Sequence, residues 1–132
     1  MGSGTDLGKV RGLGSAKHGS QHWTLQRITA IGNLTLMTWL VVSLLVNDLS
    51  SFDSFTRWLH APYAAVPMIL LVLSAFTHLR LGLQVLIEDY LHAEATKLAA
   101  LLALTFFVYG AAGTAIFSIA KIAFGAMTNA GQ

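Results

Sequence analysis

The chain has 132 residues, a formal charge of +2, and a composition that is 55% hydrophobic but only 11% charged. Soluble domains carry about a quarter charged residues, so the balance points to a membrane, and so small a positive charge makes no case for nucleic acid. With no cysteine in the chain, disulfides, thiolate metal sites and thiol nucleophiles are excluded.

Residues 1–21, MGSGTDLGKVRGLGSAKHGSQ, are rich in Gly and Ser and carry Lys9, Arg11 and Lys17. They hold no apolar run, so they read as a flexible or partner-ordered cytoplasmic tail rather than a secretory signal. The first residues approach a myristoylation signal, but Asp6 stands where Ser or Thr is required.

Three apolar segments follow, at about 24–46, 62–87 and 97–124. Each exceeds the ~20 residues that a helix needs to cross a ~30 Å hydrocarbon layer. Their continuous apolar character does not suit the strands of a membrane barrel. The expected fold is an all-α membrane protein, with three transmembrane helices making up a domain over residues 22–132. The first connection, NDLSSFDSFTRWLHA, reads as a polar loop with Trp58 at the interface, and the second, EDYLHAEATK, is short and charged. Lys9, Arg11, Lys17, Arg27, Arg80 and Lys97 fall on one side, and Arg57 and Lys121 on the other. That bias puts the amino terminus and the second connection in the cytoplasm and the carboxyl terminus in the periplasm.

On the first helix Thr24, Arg27, Thr35 and Thr38 share an arc of about 80° at 100° per residue. Threonines inside membrane helices bond their own backbone. Arg27 either snorkels to the headgroups or meets an anionic group. On the third helix Ala99, Ala103, Gly110 and Thr114 form a stripe of small residues. Such a stripe lets another helix approach closely, either within this chain or from another subunit.

His78 lies deep in the second helix, where an ionisable group is costly and faces the protein interior. It is either a neutral histidine bonded to a neighbouring helix or an axial ligand of haem iron. Ser74 and Gly82, four residues to either side, leave room on its face for a flat macrocycle. His18, His22, His60 and His92 lie in tails, loops or helix edges, so a second histidine ligand would come from another chain. At the end of the helix, Glu88, Asp89 and Tyr90 read either as a solvated terminus with an aromatic anchor or as quinone-binding groups. A tyrosine hydroxyl, ordinarily titrating near about 10, stays protonated and donates to a carbonyl oxygen.

His78, Gly82, Gln84, Val85, Leu86, Asp89 and Tyr90 together form HxxxGxQVLxxDY, and Gly14 to Leu34 reads GSAKHGSQHWTLQRITAIGNL. The two motifs resemble those of the hydrophobic membrane anchor of succinate dehydrogenase (respiratory complex II), in its alphaproteobacterial form. The resemblance covers nearly everything from Gly14 onward. It implies a second three-helix anchor (cytochrome b) subunit packing around a shared haem b, with His78 as axial ligand and Arg27 near the propionates. It also implies that Tyr90 bonds a ubiquinone carbonyl, with ubiquinone as substrate, and that Asp89 fixes an arginine of the other anchor. His22 and Trp23 match the segment entering the membrane beside the iron–sulfur subunit. Gln21 departs from relatives that carry histidine there, and Arg80 is not part of the pattern.

On that resemblance, succinate is oxidised in a flavoprotein subunit and electrons pass through the iron–sulfur subunit. This chain, with no glycine-rich dinucleotide fingerprint and no cysteine, is non-catalytic alone. The absence of a transit-like amino terminus suggests a bacterial inner membrane. The rival readings are the anchor of a quinol:fumarate reductase and a cofactor-free structural or assembly membrane protein.

Overall fold

The structure, a computed structural model, describes residues 19–125, with side chains from Gln21 onward. It contains four helices, α1 (Gly19–Val46), α2 (Phe52–His60), α3 (Pro62–Tyr90) and α4 (Glu94–Gly125), with no strand among the described residues. Three of them, α1, α3 and α4, are long and apolar enough to cross a membrane. At 28, 29 and 32 residues they run about 42–48 Å at 1.5 Å per residue.

Each helix extends past the apolar segment that marks it. α1 begins at Gly19 instead of near residue 24, so the last residues of the expected tail are helical, and α3 continues through Glu88, Asp89 and Tyr90. Composition marks where lipid lies, whereas backbone hydrogen bonding marks where the helix stops, and a polar last turn separates the two. Lys9, Arg11, Lys17, His18 and the rest of the tail lie outside the described residues.

The first connection corrects the expectation of a plain loop, because it contains α2. Ser51 caps this helix: its hydroxyl accepts from the Ser54 amide at 3.1 Å, and the Ser54 hydroxyl accepts from the Ser51 amide at 3.3 Å. This reciprocal box satisfies two amides that would otherwise be orphaned. Asp53 in the first turn and Arg57 and His60 in the last complement the helix dipole. Trp58, expected at the interface, is buried, 6% exposed, and stacks on Trp39 of α1 with centroids 5.8 Å apart. With Leu59 and Ala64 it forms a core that also engages Leu40, Met68, Ile119 and Ile122, so all four helices meet there. Just before α2, the Asp48 carboxylate accepts the Ser50 hydroxyl at 2.6 Å. That bond, with the Ser50 amide, holds it below the usual carboxylate range.

Beyond this end the three long helices form a row. α3 packs on α1 on one side and on α4 on the other, while α1 and α4 do not approach each other. Pro62 starts α3 in its first turn, where a missing amide costs nothing. On α4 the buried residues are Val108 and Ala112. Ala99, Ala103, Gly110 and Thr114 are not among them, and a Cβ added to Gly110 would meet nothing within 4 Å. The face of α4 that carries Gly110 is therefore open within this chain. Ala112 instead lies on the face turned to α3, beside Phe76 and Thr77.

Candidate functional site

A polar seam runs between α1 and α3. His22, Gln26, Thr29 and Asn33 are spaced 4, 3 and 4 residues apart, which puts them within an arc of about 60°. All four are buried or half-buried. Opposite them stand Ser74 and His78 of α3. The Ser74 hydroxyl donates to the Thr29 carbonyl at 3.2 Å, and His78 Nδ1 lies 3.1 Å from Thr29 Oγ1. The Thr29 hydroxyl also reaches the carbonyls of Leu25 at 2.9 Å and Gln26 at 3.1 Å. Thr29 is 7% exposed, so the junction is shielded. A Cβ added to Gly32 would come within 3.1 Å of Ser74 Oγ, which means that glycine is what lets the helices close here.

This seam was readable in the sequence but was overshadowed. Thr24, Arg27, Thr35 and Thr38 occupy nearly the opposite face of α1 and are exposed. Thr35 and Thr38 bond the carbonyls of Ile31 and Leu34 in their own helix. The signal that identifies the seam is the same helical spacing applied to His, Gln and Asn, the groups whose polar atoms an apolar helix cannot satisfy alone. The seam leaves His22 Nε2, Gln26 Oε1 and Asn33 Oδ1 buried without a hydrogen-bond partner among the described residues.

His78 is half-buried and its ring turns toward α1. Its Nε2 makes no hydrogen bond with any described residue. Ser74 and Gly82 share its side of α3, but both meet α1: Ser74 through the Thr29 carbonyl and Gly82 opposite the Gln26 side chain. An open groove of about 370 Å³ adjoins this junction, walled by α1 from Leu25 to Leu36 and by α3 from Leu70 to Thr77. Arg27 is not brought to His78. It lies about 160° around α1 from Thr29, exposed, with its guanidinium 4.8 Å from the Trp23 ring centroid.

Arg80 lies about 200° around α3 from His78, on the α4 side. Its guanidinium rests 5.7 Å from the Tyr109 ring centroid, and it lines a small cavity of about 70 Å³ with Phe76, Thr77 and Val108. At the end of α3, Gln84 donates to Glu88 at 2.9 Å. Asp89 and Tyr90 are exposed, and neither side chain makes a hydrogen bond or ion pair with the described residues. Because Gln26 faces Gly82 and Gly32 faces Ser74, α1 and α3 are antiparallel. Tyr90, Asp89, Trp23 and Arg27 therefore belong to one end of the molecule, and α2 to the other.

The class defined by this arrangement is a small three-span helical membrane protein, with the His78 imidazole bonded across its interhelical seam and large apolar surfaces turned outward. The family described as succinate dehydrogenase/fumarate reductase transmembrane subunit matches residues 1–112, and the chain belongs to that family. A succinate dehydrogenase hydrophobic membrane anchor subunit of Rickettsia bellii is 35% identical over 102 residues, covering 77% of this chain and 82% of the relative. The subunit of the same name from Rickettsia conorii is 36% identical over 87 residues, 65% of this chain and 69% of that one. Its Paracoccus denitrificans counterpart is 26% identical over 119 residues, 89% and 91% of the two chains. No solved structure matches.

Proposed function

We propose that this chain is the hydrophobic anchor of a succinate:ubiquinone oxidoreductase, contributing one axial ligand to a haem b and part of a quinone site. The observation that carries the reading is His78, fixed to α1 through Nδ1 while Nε2 has no partner among the described residues. The donor set agrees with haem. No group of three metal-ligating side chains occurs among the described residues, and a lone imidazole suits a metal already held in four positions by a macrocycle. Haem b supplies a one-electron redox centre when bound. The second axial ligand, the iron–sulfur cluster and the flavin then belong to three partners: a second anchor subunit, an iron–sulfur subunit and a flavoprotein. The exposed face of α4 carrying Gly110 is open to such a neighbour.

At the α1-start end, Tyr90 offers a hydroxyl that no described residue uses and Asp89 a carboxylate with no ion pair among them. In this reading Tyr90 donates to a quinone carbonyl and Asp89 holds a basic group of the other anchor. Arg27, supported on Trp23 at the same end, would meet a propionate of the shared haem. The end with Tyr90 is cytoplasmic, in a bacterial inner membrane.

Two variants of the assembled complex test this. With His78→Ala, the low-spin b-type absorption is expected to disappear while the flavoprotein still copurifies; an unchanged spectrum would reject the ligand. With Tyr90→Phe, quinone reduction is expected to slow by about tenfold, roughly the upper value of one neutral hydrogen bond, while succinate oxidation by an artificial soluble acceptor stays intact. Equal loss of both activities would contradict the quinone role.

A further inference from the structure

We infer that Thr29 is a positioning residue for His78: it fixes the imidazole as the Nδ1–H tautomer and so presents Nε2 as the ligating lone pair. This rests on the haem reading above and adds to it a residue on a different helix.

Counting protons assigns the donor. A threonine hydroxyl has one proton to give and two lone pairs to receive with. Thr29 Oγ1 stands 2.9 Å from the Leu25 carbonyl four residues back and 3.1 Å from His78 Nδ1. Carbonyl oxygens only accept, so a hydroxyl bonded to Leu25 must receive its proton from Nδ1. The other helical threonines show where such hydroxyls go. Thr35, Thr38, Thr77, Thr105 and Thr114 each donate to the carbonyl four residues earlier, at 2.7–3.0 Å. Thr29 makes the same bond and is the one of them facing an imidazole. Its proton is therefore engaged by α1, and His78 becomes the donor. A neutral imidazole that donates through Nδ1 has its acceptor pair on Nε2.

Three features make this a built arrangement rather than a passing contact. Thr29 is 7% exposed, so water does not compete for its lone pairs. The Ser74 hydroxyl clamps the Thr29 carbonyl at 3.2 Å, four residues before His78 on the same helix. Gly32 allows the close approach, since a Cβ there would come within 3.1 Å of Ser74 Oγ. An outer partner that holds the second ring nitrogen orients a metal-bound histidine and typically changes metal affinity by about 10–100-fold.

The test uses the assembled complex in mild detergent, with haem retained per flavin on detergent dilution and the haem midpoint potential as readouts. Thr29→Val keeps the shape and loses the acceptor; it is expected to retain haem about 10–100-fold less tightly. The potential of any remaining haem should rise, because the imidazole loses electron density. Thr29→Ser restores the acceptor and should return both readouts to wild type. Ser74→Ala removes the other link between α1 and α3 but keeps the Thr29 acceptor, so it should lower haem retention by less than Thr29→Val and leave the potential unchanged. Wild-type retention and potential in Thr29→Val would overturn the inference, as would equal haem loss in Ser74→Ala, which would assign Thr29 to helix docking alone. Haem that persists in His78→Ala would instead overturn the ligand assignment itself, so the two failures are distinguishable.

Discussion

The two ends of the bundle are built on different principles. At the end that carries α2, Trp58, Leu59 and Ala64 are packed by Trp39, Leu40, Met68, Ile119 and Ile122, and side chains from all four helices close on one another. At the other end α1 and α3 meet through hydrogen bonds, three buried polar atoms of α1 lack partners, and Tyr90 is 76% exposed. The first end is closed mainly by apolar packing within this chain, with His60 Nδ1 its one buried polar atom that has no partner among the described residues. The second leaves three buried polar atoms of α1 without partners among the described residues, which is costly. Apolar packing and polar contacts are thus weighted toward opposite ends of the helix axis.

That separation can be broken or sharpened by mutation. The largest effect is expected from Leu59→Ala. Leu59 is 1% exposed, and truncating a buried leucine costs about 2–5 kcal/mol. Thermal unfolding of the assembled complex should show the loss, while the haem spectrum and quinone reduction of the surviving complex stay normal. Loss of haem in step with stability would show that the two ends are coupled. Gly82→Ala should do less. A Cβ there meets only the Gln26 amide nitrogen, at 3.8 Å, so the gain in helix propensity, about 1 kcal/mol, should stabilise the complex slightly. A fall in haem content would instead show that the macrocycle lies against Gly82, as the sequence suggested.

The smallest effect concerns the Asp48 turn. Its carboxyl titrates below the ordinary value of 3.8, chiefly through the Ser50 hydroxyl. A depressed carboxyl contributes stability above its unfolded pKa and loses it as pH falls through the lower folded value. Carbon NMR of the carboxyl should therefore show a midpoint below 3.8 that returns to the ordinary value in Ser50→Ala. Haem and quinone readouts should not respond. An unshifted midpoint in the wild type would show that this hydrogen bond does not order the first connection.

Parts of the site were legible in the sequence and parts were not. His78 stood out because an imidazole in an apolar helix is expensive, and its inward orientation is what that cost requires. Arg80 fell outside the recognised pattern, and its resting place against Tyr109 depends on α4, which no local pattern brings near. Thr29 was invisible. A threonine in an apolar helix bonds its own backbone and needs no explanation, and only the docking of α3 turns that spare lone pair into a receptor for Nδ1. α2 was hidden by its polarity, since a short amphipathic helix between two long apolar ones resembles the loop it replaces.

The sequence by itself determined the number of spans and the presence of one deep imidazole. Both follow from the cost of exposing backbone and charge to hydrocarbon, which applies residue by residue. Which face of each helix turns inward was decided only by the tertiary structure. Lipid is as apolar as a leucine core, so apolar periodicity does not distinguish inside from outside in a membrane. Close contact at Gly32 and the hydrogen bonds of Thr29, Ser74 and His78 made that choice instead.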